Sequence, residues 1–122
     1  MNNPVGWFEI YVEDMARARA FYQSVFDVQL SRLDGTEPEV WTFPMQRDSY
    51  GATGALVRMP GFCSGANSVL VYFSCTDCDV EAAKAVAAGG RIQKQKTPIG
   101  QYGHIALVVD SEGNMIGLHS MQ

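Results

Sequence analysis

The order of apolar and polar positions along the chain changes its period several times, and each change marks an element. Trp7-Phe8-Glu9-Ile10-Tyr11-Val12 is rich in aromatic and β-branched residues and predicts a strand. Asp14 then offers a helix N-cap. Met15, Ala18, Phe21, Tyr22 and Val25 recur at helical spacing, with Arg17, Arg19 and Gln23 on the other side. This helix should stop near Phe26-Asp27. Val28 to Leu33 alternates apolar and polar residues, as a half-buried strand does. Asp34-Gly35 signals a turn. Val40 to Phe43 predicts a third strand, Pro44 to Gly51 a polar loop, and Gly54 to Met59 a fourth strand.

Pro60-Gly61 through Gly65-Ala66-Asn67 is linker-like, and after it the pattern restarts. Val69 to Ser74 predicts a strand. Asp77 or Asp79 caps a helix whose apolar face would use Val80, Ala83, Val86 and Ala87, and Gly89-Gly90 ends it. Arg91 to Lys94 predicts a short strand. Ile105 to Val109 and Met115 to His119 predict two more, joined by the Asp110–Asn114 turn with its glycine. Both halves therefore read strand, helix, strand, strand, strand. They align at an offset of 63 through the first strand and helix, with Trp7 on Leu70, Glu9 on Tyr72, Tyr11 on Ser74 and Asp14 on Asp77. A repeat of this kind predicts an α+β fold of two βαβββ modules, about 1–60 and 67–122, within one domain. Each module has a curved sheet that cannot cover its own inner face, and pairing two such sheets makes a cleft.

The 122-residue length suits one domain with a sizeable core. The net charge of −4, with no block of like charges, argues against a nucleic-acid partner, which needs a basic footprint. No apolar run is long enough to span a membrane, and Met1 to Val5 lacks the features of a signal peptide, so a cytoplasmic protein without a membrane partner is expected. The three cysteines, Cys63, Cys75 and Cys78, do not suggest a disulfide framework. Cys75 and Cys78 form a C-x-x-C, with Cys75 expected at a strand end and Cys78 in a turn. No second pair is present to complete a structural zinc site.

Glu9-Ile-Tyr-Val-Glu-Asp14, Ala18-Arg-Ala-Phe-Tyr22 and Val25-Phe26 resemble the opening of the glyoxalase/bleomycin-resistance/extradiol-dioxygenase (vicinal oxygen chelate) superfamily. Val86-Ala-Ala-Gly-Gly90 and Asp110-Ser-Glu-Gly-Asn-Met-Ile-Gly-Leu118 resemble its second-module signatures. The nearest subgroup in this resemblance is the bacterial proteins related to lactoylglutathione lyase. Members that use metal place His, Gln or Glu on four strands facing the cleft. Carried over, three of those positions are Trp7, Leu70 and Gly117, and the fourth falls in Gly51 to Met59, a stretch without His, Asp, Glu or Gln. The expectation is no metal at these positions and no cofactor. The resemblance also implies a homodimer.

Strand alternation puts Trp7, Glu9 and Tyr11 on one face, Leu70, Tyr72 and Ser74 on another, and Met115, Gly117 and His119 on a third. A displaced metal site from Glu9, His119 and, if its parity cooperates, His104 is the alternative. Glu9 amid aromatic neighbours is a candidate acid or base with a raised pKa. Its bland reading is a carboxylate satisfied by Tyr72 or His119, or one facing solvent. Trp7, Tyr11, Leu70, Tyr72, Tyr102, Gly117 and His119 complete the candidate binding wall. Gly54, Ala55 and Gly117 should leave space where metal ligands would sit. His119 reads equally as a surface histidine near the chain end, and the aromatic residues equally as core. No nucleophile motif or phosphate loop is present. The reading is a metal-independent protein that binds a small apolar or aromatic metabolite or xenobiotic. The alternatives are a lyase or isomerase using Glu9, and a dimeric interaction protein whose cleft is vestigial.

Overall fold

The structure, a computed structural model, describes residues 3–35, 38–65 and 68–122. The Ala66-Asn67 end of the linker-like stretch lies outside them. The elements run β1 (Val5–Tyr11), α1 (Met15–Phe26), β2 (Ser31–Arg32), β3 (Glu39–Thr42), β4 (Thr53–Arg58), β5 (Val69–Ser74), α2 (Cys78–Ala87), β6 (Arg91–Pro98), a 3₁₀ turn (Gly100–Tyr102), β7 (His104–Val109) and β8 (Met115–Ser120). The fold is mixed α+β, and the βαβββ order occurs twice. Two compact units make up the chain. One is Trp7–Val69, and the other is Leu70–Gln122 with the residues before Trp7.

In the Trp7–Val69 unit the strands are ordered β2-β3-β4-β1. β1 runs parallel to β4, with Glu9 opposite Ala55, and β3 is antiparallel to β4. α1 starts where the Asp14 side chain accepts the Arg17 N–H at 3.0 Å. It stops at Asp27, which takes a left-handed conformation (φ 53°) and donates its N–H to the Gln23 carbonyl. Val12, Met15, Leu30 and Leu56 form the core beneath the helix, with Ile10, Ala18, Tyr22, Trp41 and Phe43 packed around them. The Arg19 guanidinium lies 3.5 Å over the Trp41 ring. Two sequence expectations fail here. The strand expected from Val28 to Leu33 is only Ser31–Arg32, because the Leu30 N–H turns back to the Gln23 side chain at 3.0 Å instead of joining a ladder. Phe21 and Val25, expected on the buried helix face, are 58% and 55% exposed.

The second unit orders its strands β5-β8-β7-β6, with β5 parallel to β8 and the other two pairs antiparallel. Asp77, not Asp79, caps α2, accepting the Asp79 N–H at 3.1 Å. Cys78, Ala82, Ala106, Val108 and Leu118 form the core under α2, flanked by Phe73, Cys75, Ala85, Ile92 and Ile116. The helix therefore buries Cys78 and Ala82, with Ala85 half-buried beside them, and not the expected stripe of Val80, Ala83, Val86 and Ala87. Small side chains let the helix approach the sheet closely, and Val80 and Val86 are each left 49% exposed. Cys78 is the first residue of α2 and fully buried, not a turn residue. β6 continues four residues past the expected Lys94 to Pro98, with register shifts at Ile92/Lys94 and Lys94/Thr97.

Candidate functional site

β1 separates its side chains cleanly. Phe8 packs on Phe43 and Ile10 joins the core under α1, so Trp7, Glu9 and Tyr11 project from the opposite face. There the Glu9 carboxylate accepts the Tyr11 hydroxyl at 2.8 Å and the Trp7 indole N–H at 3.2 Å. Residues two apart on a strand share a face, so one strand supplies both the acid and its donors. Burial pushes the Glu9 carboxyl above the ordinary carboxylate range, and the two donors pull it part of the way back. Ala55, its register partner, is fully buried and adds only a methyl group. A neighbour that sequence reasoning passed over is Phe62. It lies in the stretch read as linker, and its ring stacks on Tyr11 at 4.9 Å between centroids, 25° between planes. An aromatic residue between two loop glycines was the signal.

In the second unit, Phe73 faces α2, so Leu70, Tyr72 and Ser74 face away from it. Leu70 and Tyr72 are both buried. Tyr72 pairs in register with Gly117, and a side chain at Gly117 would run into the Tyr72 ring. Ser74 pairs with His119, on the same face. The His119 Nε2–H donates to the Tyr102 carbonyl at 2.6 Å, so the histidine ties down the 3₁₀ turn and is not a frayed surface residue. His104 settles on the other side. It lies opposite Ser120, whose hydroxyl accepts the Cys78 N–H at the start of α2, and it shares its strand face with the core residues Ala106 and Val108. His104 and His119 thus point to opposite faces of one sheet, which removes His104 from a displaced metal site.

The profile of the glyoxalase/bleomycin resistance protein/dioxygenase superfamily matches residues 5–118. The chain belongs to this superfamily. A protein named as a glyoxylase, CFP32, from Mycobacterium bovis and from Mycobacterium tuberculosis, is 29% identical over 107 residues. That match covers 88% of this chain but 40% of the relative, so the chain spans about two fifths of the length of these relatives. Among solved structures, methylmalonyl-CoA epimerase from M. tuberculosis aligns with a TM-score of 0.67 at 15% identity, over 98% of this chain and 88% of its own. Protein BH1468 from Bacillus halodurans aligns at 0.72 and 11%, over 100% and 96%. A Streptomyces coelicolor methylmalonyl-CoA epimerase bound to 2-nitronate-propionyl-CoA aligns at 0.68 and 15%, over 98% of each chain. At these identities the structures establish the shared fold.

Superfamily members that use a divalent ion need oxygen or nitrogen donors on four strands, and the residues here do not fit one. Trp7 offers an indole N–H, which is spent on Glu9 and has no lone pair to give. Leu70 and Gly117 offer no donor. Among the described residues, no three His, Cys, Asp or Glu side chains come together in a way that could hold a metal. Gly54 and Gly117 do not leave the space expected of them. The Tyr72 ring fills the room beside Gly117, and Phe8 fills that beside Gly54, where a Cβ would lie 2.7 Å from its ring. The Cys75-x-x-Cys78 pair is structural in character. Both thiols are free, Cys78 is in the core, and burial, helped by the Glu81 charge, pushes the Cys75 thiol up to about 11.

Proposed function

We propose that this chain binds a small apolar or aromatic organic molecule on the β1 face that carries Glu9, without a divalent ion at the superfamily's ligand positions. The observation that carries this reading is a desolvated carboxyl framed by Trp7 and Tyr11, on a face where the metal-ligand position is itself an indole. Apolar walls with one well-placed polar group are what small-molecule sites are made of. The carboxyl would fix the ligand's orientation and the rings its plane. Native mass spectrometry of protein purified without added ligand tests this. A retained organic adduct that is lost on denaturation supports it. A bare chain that also fails to bind a set of apolar fluorescent probes overturns it.

A second reading is a lyase or isomerase in which Glu9 transfers a proton. It is favoured by the upward displacement of the Glu9 pKa, which brings the group closer to the range where a carboxyl exchanges protons efficiently. The fold shared with structures titled methylmalonyl-CoA epimerase is consistent with it. Glu9→Gln separates the two readings. In a binder the variant keeps ligand affinity within a few-fold, and in an enzyme turnover disappears while binding persists.

A further inference from the structure

The Glu9 carboxyl is held by its own strand, but one of its holders is itself held from a loop. Tyr11 is 7% exposed, and its hydroxyl donates to Glu9 at 2.8 Å. A phenol can rotate about two side-chain bonds, so a hydrogen bond to its tip stays in place only if the ring does. The ring is stacked by Phe62, at 4.9 Å and 25°. Phe62 sits in the loop after β4, between Gly61 (φ 89°) and Gly65 (φ 81°), in a conformation that glycine makes accessible. The loop is fastened on both sides of the ring. The Phe62 N–H donates to the Met59 carbonyl at 3.1 Å, and the Ser64 hydroxyl donates to the Glu13 carboxylate at 2.6 Å. The far end of β1 is tied to the same stretch, because the Tyr11 N–H donates to the Ser68 carbonyl at 2.7 Å.

We propose that Phe62 is a positioning residue for the candidate site: its ring, stacked on Tyr11, keeps the phenol hydroxyl on Glu9. The loop from Met59 to Gly65 is then not a passive link. It sets the hydrogen bonding of the acid from a distance, and a ligand or modification that lifts Phe62 would release Tyr11 and change the proton affinity of Glu9. This inference rests on reading Glu9 as the working carboxyl, but its test needs no ligand. Failure of the test would therefore leave the binding proposal standing, and the reverse also holds.

The test is a double-mutant cycle read by the NMR titration of the Glu9 side-chain carboxyl. Tyr11→Phe removes the hydroxyl and should move the titration upward, because that hydrogen bond favours the charged form. Phe62→Ala should also move it upward in the parent protein, but not in the Tyr11→Phe background, where no hydroxyl remains to misplace. Phe62→Tyr, which keeps the ring, should restore the parent titration. A purely structural role for Phe62 predicts lower thermal stability with the Glu9 titration unchanged, and that result overturns the proposal. Equal shifts in both backgrounds overturn it too, since Phe62 would then act on Glu9 without Tyr11.

Discussion

Glu9 carries an energetic conflict that pH should expose. Its folded pKa is raised, so the native state holds the proton more tightly than the unfolded chain does. Its contribution to stability is complete below the unfolded carboxylate pKa and is lost as pH rises through the folded value. Glu9→Gln should remove that slope. The amide has one oxygen where Tyr11 and Trp7 each take one, so above the folded pKa the relief of charge burial is opposed by one donor left without an acceptor, and the variant should lie within about 1 kcal/mol of the parent. Denaturant unfolding of both proteins across the acid-to-neutral range checks it, and an identical pH profile would mean that Glu9 is merely solvated. Gly117 makes a second prediction at this scale. Gly117→Ala should cost about 1–3 kcal/mol, because the new methyl group meets the Tyr72 ring on a buried face. The cysteines make a third. With a pKa of about 11, the Cys75 thiol is ionised in only about one molecule in a thousand at pH 8. Iodoacetamide should therefore label the exposed Cys63 first and leave Cys75 and Cys78 unmodified until the chain unfolds.

The two helices carry the clearest trace of the repeat. Their caps, Asp14 and Asp77, stand 63 residues apart, as the sequence alignment required, and each side chain accepts a backbone N–H of the first turn. Asp14→Ala should destabilise by about 1 kcal/mol in thermal or chemical unfolding. Asp77→Ala should act in the same direction and also release Lys96, which it holds at 2.8 Å. Caps were legible because they depend on one side chain and the backbone beside it. The buried stripes were not. Helical spacing chose Val80, Ala83, Val86 and Ala87 for α2, whereas the helix buries Cys78 and Ala82 and half-buries Ala85, because several faces of a short helix rich in alanine look equally apolar. How near the helix can come to its sheet then decides among them. Phe21 and Val25 likewise belong to the helical period of α1 without being reached by the core.

For the whole chain, no metal is expected at the superfamily's ligand positions. Elemental analysis of purified protein should find no stoichiometric zinc, nickel, manganese or iron, because Trp7, Leu70 and Gly117 provide no donor atoms for one. One equivalent of any of these metals per chain would contradict the proposed metal-independent reading. The homodimer implied by family resemblance remains a proposal, to be checked by sedimentation at concentrations well above micromolar. Among the described residues, no helix is long and apolar enough to cross a membrane.

Element order, the twofold repeat, the Asp14 cap and the face shared by Trp7, Glu9 and Tyr11 followed from the sequence alone, while the choice of Asp77 over Asp79 did not. Each depends on local chemistry or on a period of two or 3.6 residues, which a chain carries wherever it folds. The hydrogen-bond partners of Glu9, the side taken by His104, the filling of the space at Gly117 by Tyr72 and the stacking of Phe62 on Tyr11 came only with tertiary structure. Those contacts join residues distant in sequence, or choose among rotamers that a strand allows equally. Packing alone distinguishes them, because only there does each ring exclude the alternatives of its neighbour.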